Sequence, residues 1–547
     1  MLKTMKKLIL VLSTLSLTLP SFADNEDYSG QNVSGQDFSN MSLKNSDWVE
    51  ANASGTNYQN SDLTGAGFYE ATLTNANFTN AIITGADLES IGFTKEQLYS
   101  TASYKNKDLN GVILGSTDLT GWNFSGQNLT GADFFKTVLT NADFTDAVIA
   151  GATFESPTAN GLTKEQLYST ASYKNKDLNG INFYKNNLTG WNFSGQYLIG
   201  AKFLNATLTD ADLTGAELYQ ADLTNANLSR ANLTDVNLNE AYVSDADFTD
   251  AVITGTKFED TIGFAKEQLY STASYKNKDL SYVKFDGNNL TAWNLAGQKL
   301  TGASFYSANL ANADLSRAIL TGAYFYNAAL TNANFTGADL RGATLDSITG
   351  TPIYKNTILA DGVIRNFSMS SESDSLTIKK YVPVEYGEQI RAKVNSSAEV
   401  SNGAVLSLEN GEVLEVINSA VLTLGDGGVL VLEASTSANS SILVEAGAGL
   451  AFSENSQIIK NLTEEFPTPQ TFAAMNGTDI RKISGTANLV KNQNVFVNFD
   501  EAQEVKDWSF SITESGLYIS VPEPATCASI FGALALAFAA VRRRSRN

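Results

Sequence analysis

From Val33 onward, large apolar residues recur at every fifth position: Val33, Phe38, Leu43, Trp48, Ala53, Tyr58, Leu63, Phe68, Leu73, Phe78, Ile83, Leu88 and Phe93. The register resumes from Leu109 to Phe154, from Leu178 to Phe258 and from Leu280 to Leu345, usually with a small residue two positions earlier, as at Ala211, Ala216, Ala221, Ala226 and Ala231. A period of five suits neither regular element. Five residues turn an α-helix by about 500°, carrying successive leucines round every face, and on a strand an odd spacing sends them to alternate sides. A backbone that turns a corner every five residues keeps the whole column pointing at one axis, with coils stacked at the ~4.8 Å spacing of β ladders. The fold class expected is all-β.

The units Ala-Asp-Leu-Thr-Gly, Ala-Asn-Leu-Ser-Arg and Ala-Asn-Phe-Thr-Gly resemble pentapeptide repeats, and the resemblance spans about residues 30 to 350. It implies a right-handed quadrilateral β-helix with four pentapeptides per coil. About 54 units would then give about 13 to 14 coils and roughly 65 Å of length. It also implies that the Leu or Phe column and the Ala column are core, and that no catalytic residue belongs to the pattern.

Three interruptions carry the same text, KEQLYSTASYKNKDL, at Lys95 to Leu109, Lys164 to Leu178 and Lys266 to Leu280, within inserts near 94–108, 159–177 and 261–279. Thr94 with Gln97, and Thr163 with Gln166, fit a capping box, so each insert should begin with a short helix; Ala265 in the third copy should cap more weakly. Lys95, Lys105, Lys107 and their counterparts make the inserts basic on an acidic chain. They read either as docking knobs or as structural corners repeated by duplication. Each is followed by Trp where Ala normally stands, at Trp122, Trp191 and Trp293. An indole there needs a widened coil and should pack on the insert, which favours the corner.

Composition narrows the chemistry. The 547 residues hold 37 Lys plus Arg against 58 Asp plus Glu, no His and one Cys. Histidine-based triads, Cys-His dyads, imidazole metal sites and internal disulfides are therefore closed. No catalytic residue, cofactor or metal site is expected.

The start pairs Lys3, Lys6 and Lys7 with the apolar run Leu8 to Leu19, ending at Ala23, which reads as a secretory signal peptide over 1–23. The end runs Val521-Pro522-Glu523-Pro524, apolar from Ala525 to Val541, then Arg542-Arg543-Arg544-Ser545-Arg546. The apolar stretch just reaches the lower limit for a spanning helix, with the arginines on the cytoplasmic side. This order resembles a PEP-CTERM sorting tail over 521–547. The resemblance implies a bacterial envelope protein whose tail is recognised and removed by an exosortase-type membrane protease, with Pro522, Glu523, Pro524, Arg542, Arg543 and Arg544 as recognition residues. Cys527 reads as a small apolar helix residue. Without both ends, 30 basic residues face 58 acidic ones, a net charge near −28 that repels nucleic acid and anionic lipid.

Positions twenty apart should stack on one face. Asp210, Arg230 and Asp250 then form an alternating charge column. Tyr306 and Tyr326 stack as candidate ligand-facing aromatics, with Tyr69, Tyr184 and Tyr219 outward elsewhere; such ledges hold sugars or merely stabilise the coil. Asp212, Asp222 and Asp247 suggest calcium, yet their stacked partners supply too few carboxylates. Thr214, Thr234 and Thr254 suggest an ice-binding face, but Thr there is ordinary for the pattern.

Over 351–520, alternation broken by Asn-Gly and Asp-Gly-Gly predicts a second β-rich domain, either solenoid or sandwich. The reading that results is an exported, surface-associated structural or adhesive component of the bacterial envelope or extracellular polysaccharide matrix. Its partners would be the sorting protease, envelope or extracellular polysaccharide, and other copies of itself. Alternatives are a polysaccharide-acting enzyme on the C-terminal β region and, least favoured, an acidic duplex mimic, which export contradicts.

Overall fold

The computed structural model describes residues 23–371, 374–379, 389–434 apart from Asn410, Gly411, Ser419 and Asp426, and the strand segments 441–444, 449–452, 457–462, 508–513 and 516–520. Residues 1–22 and 521–547, where the sequence points to an export leader and a sorting tail, lie outside the described residues. The chain forms two compact units, one reaching Asn277 and one starting at Lys278.

In the first unit each pentapeptide makes one side of a coil. The residue before the centre forms a single parallel bridge to the residue twenty positions on, as in Asn32↔Asn52 and Asp212↔Asn232, so one coil holds four units. Backbone bonds run both ways across the rung: Leu213 N–H donates to Asn232 O at 2.9 Å, and Asn232 N–H to Ala211 O at 2.9 Å. The corner closes when Ala216 N–H donates back to Leu213 O at 2.8 Å.

This geometry explains the five-letter text. The corner residue is left-handed, with φ of 57° at Asp210, 64° at Gly215 and 56° at Asn225. Gly, Asn and Asp tolerate that region best. The Asp before the centre clamps its own turn: Asp212 Oδ1 accepts Thr214 N–H at 3.0 Å and Thr214 Oγ1–H at 2.6 Å. The central residue and the small one before it point inward, and Leu208, Leu213, Leu218, Leu223, Ala216 and Ala221 are all fully or almost fully buried. Aromatic centres stack from coil to coil, with Phe124 on Phe144 at 5.3 Å and Phe134 on Phe154 at 5.1 Å.

The second unit begins with the same coils. Its ladder continues through Asn334↔Ile353 and Asp339↔Ile358, where the short strands β1 (Thr357–Ile358) and β2 (Ile364–Arg365) form a hairpin. Ten strands follow: β3 (Ser375–Ile378), β4 (Ala392–Val394), β5 (Ala398–Val400), β6 (Val405–Leu408), β7 (Val413–Val416), β8 (Val421–Leu424), β9 (Val429–Ala434), β10 (Ser441–Val444), β11 (Gly449–Phe452) and β12 (Gln457–Leu462). Strands β3 to β9 each pair in parallel with the strand three later, giving the ladders β3-β6-β9-β12, β4-β7-β10 and β5-β8-β11. Each turn of this chain thus uses three strands. β13 (Trp508–Thr513) and β14 (Gly516–Ser520) add antiparallel to the β10 edge. Alternating burial sends Leu406, Leu408, Leu414 and Val416 into one core. Among the described residues no helix is long and apolar enough to cross a membrane.

Candidate functional site

The inserts are built into the first unit's coils. The first comprises α1 (Lys95–Ser100) and α2 (Ala102–Lys105), the second α3 (Lys164–Ser169) and α4 (Ala171–Lys174), the third α5 (Lys266–Ser271) and α6 (Ala273–Lys276). One helix was expected in each, and there are two. Thr101, extended at φ −66° and ψ 155°, stops α1 and caps α2 by accepting Tyr104 N–H at 3.1 Å. The capping box holds in the first copy, with Gln97 N–H on Thr94 Oγ1 at 3.2 Å and Thr94 N–H on Gln97 Oε1 at 2.9 Å. The third copy keeps the return bond, Ala265 N–H to Gln268 Oε1 at 2.7 Å, without a side-chain cap. Leu98, Leu167 and Leu269 are buried at 0%, 2% and 0% exposure, so each insert plugs the core column that it interrupts.

A helix is ~10 Å wide and a coil step ~4.8 Å, so an insert fills more than one level. Tyrosine hydroxyls bridge the difference. Asn123 bridges Asp143 above it; toward the insert, its N–H donates to Tyr99 Oη at 2.6 Å and its carbonyl accepts from Tyr104 Oη at 3.0 Å. Asn192 repeats this with Tyr168 Oη at 2.5 Å and Tyr173 Oη at 2.9 Å. The two phenols thus stand in for a β rung. Burial, reinforced by Tyr99, pushes the Tyr104 phenol up to about 12, and burial with Tyr168 does the same to Tyr173. Trp122 and Trp191 lie edge-on to Tyr99 and Tyr168 at 6.5 and 6.4 Å, the packing expected of them. The insert lysines turn back onto the coils: Lys105 Nζ donates to Asn80 Oδ1 at 2.8 Å, and Lys174 and Lys276 pair with Asp146 and Asp250, each at 2.7 Å.

The charge column is present in part. Arg230 forks onto Asp210 through two bonds of 2.7 Å, while Asp250 takes Lys276. The aspartates considered for calcium are spent on their own turns: Asp222 accepts Thr224 N–H at 3.0 Å and Asp247 accepts Thr249 N–H at 2.8 Å. Among the described residues no group of three or more Cys, Asp and Glu could hold a metal ion.

In the second unit the Tyr306 and Tyr326 rings lie 6.0 Å apart and 6° from parallel. A third ring, Tyr324, which sequence reasoning missed, completes the cluster at 6.3 Å from Tyr306 and 6.2 Å from Tyr326. All three are about two-fifths exposed, at 43%, 40% and 39% for Tyr306, Tyr324 and Tyr326. Behind them the buried Phe305 and Phe325 stack at 4.9 Å, fixing the face. Asp286 Oδ1 accepts Tyr306 N–H at 2.9 Å and also takes the Ser304 hydroxyl. Asn327 Nδ2 donates to Ser307 Oγ at 2.9 Å along the neighbouring corner. The opposite corner carries Gly302, Gly322 and Gly342, with φ of 64°, 66° and 69°. Pro522, Glu523, Pro524, Arg542, Arg543 and Arg544 lie outside the described residues.

Also in the second unit, Arg341 is fully buried. It forks onto Asp339 through Nε at 3.0 Å and Nη2 at 2.7 Å, donates from Nη1 to Glu412 Oε2 at 2.7 Å and to Ile390 O at 3.2 Å, and reaches Lys379 O at 2.5 Å.

The family model described as pentapeptide repeats matches in eight copies, at residues 59–89, 108–146, 117–155, 177–215, 192–230, 226–262, 279–317 and 308–346. The chain carries pentapeptide repeats. Among solved structures, the chain is similar to HetL, a pentapeptide repeat protein involved in heterocyst differentiation regulation from the cyanobacterium Nostoc sp. strain PCC 7120: 24% identity, 51% of this chain and 91% of that one, TM-score 0.16. It is similar also to Rfr23 from the cyanobacterium Cyanothece 51142, at 20% identity over 36% and 98% of the two chains and TM-score 0.09. Full-length QnrB1, a plasmid-mediated fluoroquinolone resistance protein, aligns at 16% identity over 44% and 93%, with TM-score 0.17. The comparison with curated proteins returns no match.

Proposed function

We propose that the protein is an exported, surface-associated structural or adhesive solenoid of a bacterial envelope or extracellular polysaccharide matrix, processed at its C-terminus by an exosortase-type protease. The observation that carries this reading is the order of unlike signals at the two ends: a basic and apolar leader, then Pro522-Glu523-Pro524, an apolar run and Arg542-Arg543-Arg544. The coils support it from the other side, because the polar groups considered for chemistry, such as Asp212, Lys174 and Lys276, are used within the fold. Bridging aspartates close turns and insert lysines fold back on the coils. Right-handed, four-sided coils would act by geometry, presenting repeated acidic surfaces with no cofactor, and the three-stranded turns beyond them would extend the solenoid.

Intact-mass spectrometry of the native protein from separated inner-membrane, outer-membrane and released fractions tests this. The expected species begins near Asp24, lacks the residues after the Pro-Glu-Pro, and sits in the outer-membrane or released fraction. A chain that keeps its arginines in the inner membrane overturns the surface assignment and makes the protein a tethered periplasmic scaffold.

A further inference from the structure

We propose that the face of Tyr306, Tyr324 and Tyr326 binds an uncharged polysaccharide. The proposal deepens the matrix reading by naming the ligand class. Three near-parallel rings on one β face, backed by the stacked Phe305 and Phe325, present an apolar surface already fixed in place. Little side-chain entropy then remains to be lost on binding. Sugar rings offer C–H faces that pack on such aromatics and hydroxyls that need partners at the rim. Asp346 is exposed in the coil above and Asn327 along the corner, supplying an acceptor and an amide. The glycines of the opposite corner leave that flank without side chains, so a bulky polymer can lie against Tyr324. Charge selects among polymers: the chain carries −21, and Asp286 and Asp346 bracket the rings, so polyanionic glycans are repelled.

The test is native affinity electrophoresis of the full chain in mild detergent, in gels containing hydroxyethylcellulose, soluble starch or polygalacturonate. Retardation is expected in at least one uncharged gel and not in polygalacturonate. The triple variant Tyr306→Ala, Tyr324→Ala, Tyr326→Ala should weaken that binding tenfold or more with an unchanged circular dichroism spectrum, while Tyr69→Ala, on an exposed tyrosine of the other unit, should leave it intact. No retardation in either uncharged gel overturns the proposal. So does equal retardation of the triple variant, or a face that mediates self-association instead, seen as a sedimentation change in the triple variant without polymer. Binding in a gel does not depend on export, so loss of this proposal and loss of the surface assignment are separately visible.

Discussion

Arg341 and Glu412, 71 residues apart in the chain, meet at 2.7 Å with both side chains out of water. The bond joins one of the last pentapeptide coils to the strand β7 region, and Asp339 completes the triad. Burial pulls the guanidinium's pKa down, and its bonds to Asp339 and Glu412 more than offset that pull. Arg341→Met leaves two carboxylates buried without their partner and should cost about 3–5 kcal/mol. Arg341→Lys should recover only a minor part, because an ammonium cannot reproduce the fork. Urea unfolding of the second unit measures both; a loss under ~1 kcal/mol for the Met variant would show that the triad contributes little.

Tyr99→Phe should deprive the Asn123 N–H of its protein acceptor at a cost of about 0.5–1.5 kcal/mol, since the bond lies at the surface. Tyr168→Phe should do the same at Asn192. Amide hydrogen exchange reads the effect directly: protection at Asn123 should drop in the first variant and at Asn192 in the second. Unchanged protection would mean that water replaces the phenol without penalty.

The missing cap in the third insert offers a gain of stability. Ala265→Thr should restore the bond that Thr94 and Thr163 make and add about 0.5–2 kcal/mol, and Thr163→Ala should lose a similar amount. Thermal unfolding of the two variants should move in opposite directions, and parallel shifts would rule out capping as the cause.

Stability should fall at both pH extremes. Asp118 is held below its ordinary 3.8 by the Thr120 hydroxyl and then by the Thr120 N–H. Its contribution is present above the unfolded value and lost as pH falls through the folded one, so urea midpoints should be level near neutrality and decline below about pH 4. Tyr104 and Tyr173 act in the opposite sense. Their phenols are raised to about 12, so between pH 10 and 12 the unfolded chain gives up protons that the folded chain keeps. Stability therefore drops as pH rises through that window. Tyr104→Phe with Tyr173→Phe should flatten the alkaline decline; an identical slope would assign it to other groups.

The repeat was readable because one local rule governs every coil: the residue inside, the residue at the corner and the residue clamping the turn each demand a type. Positions that answer to distant chain were not. Tyr324 stands where the repeat usually carries Asp or Asn, and it meets Tyr306 eighteen rather than twenty residues away, off the vertical column. Arg341 follows the central Leu340, a place where Thr or Ser is usually half exposed, whereas Arg230 and Arg317 occupy left-handed corners. Its burial depends on Lys379, Ile390 and Glu412 lying against it, which no period in the sequence announces. The second helix of each insert was hidden for a local reason, since one residue, Thr101 in the first copy, acts as both stop and start.

Because every coil is fastened to the next by its own short bonds, a load applied along the axis would peel the first unit one coil at a time. Each ordinary coil would release about twenty residues, on the order of 70 Å of extended chain. The coils carrying the first two inserts are longer, since Asp87 bridges Ile113 and Thr153 bridges Asn182. They would yield larger steps, and the paired phenols at Asn123 and Asn192 would be the contacts that let go there. A force–extension record of this protein should therefore carry its sequence as a ruler, with evenly spaced marks interrupted wherever an insert occurs.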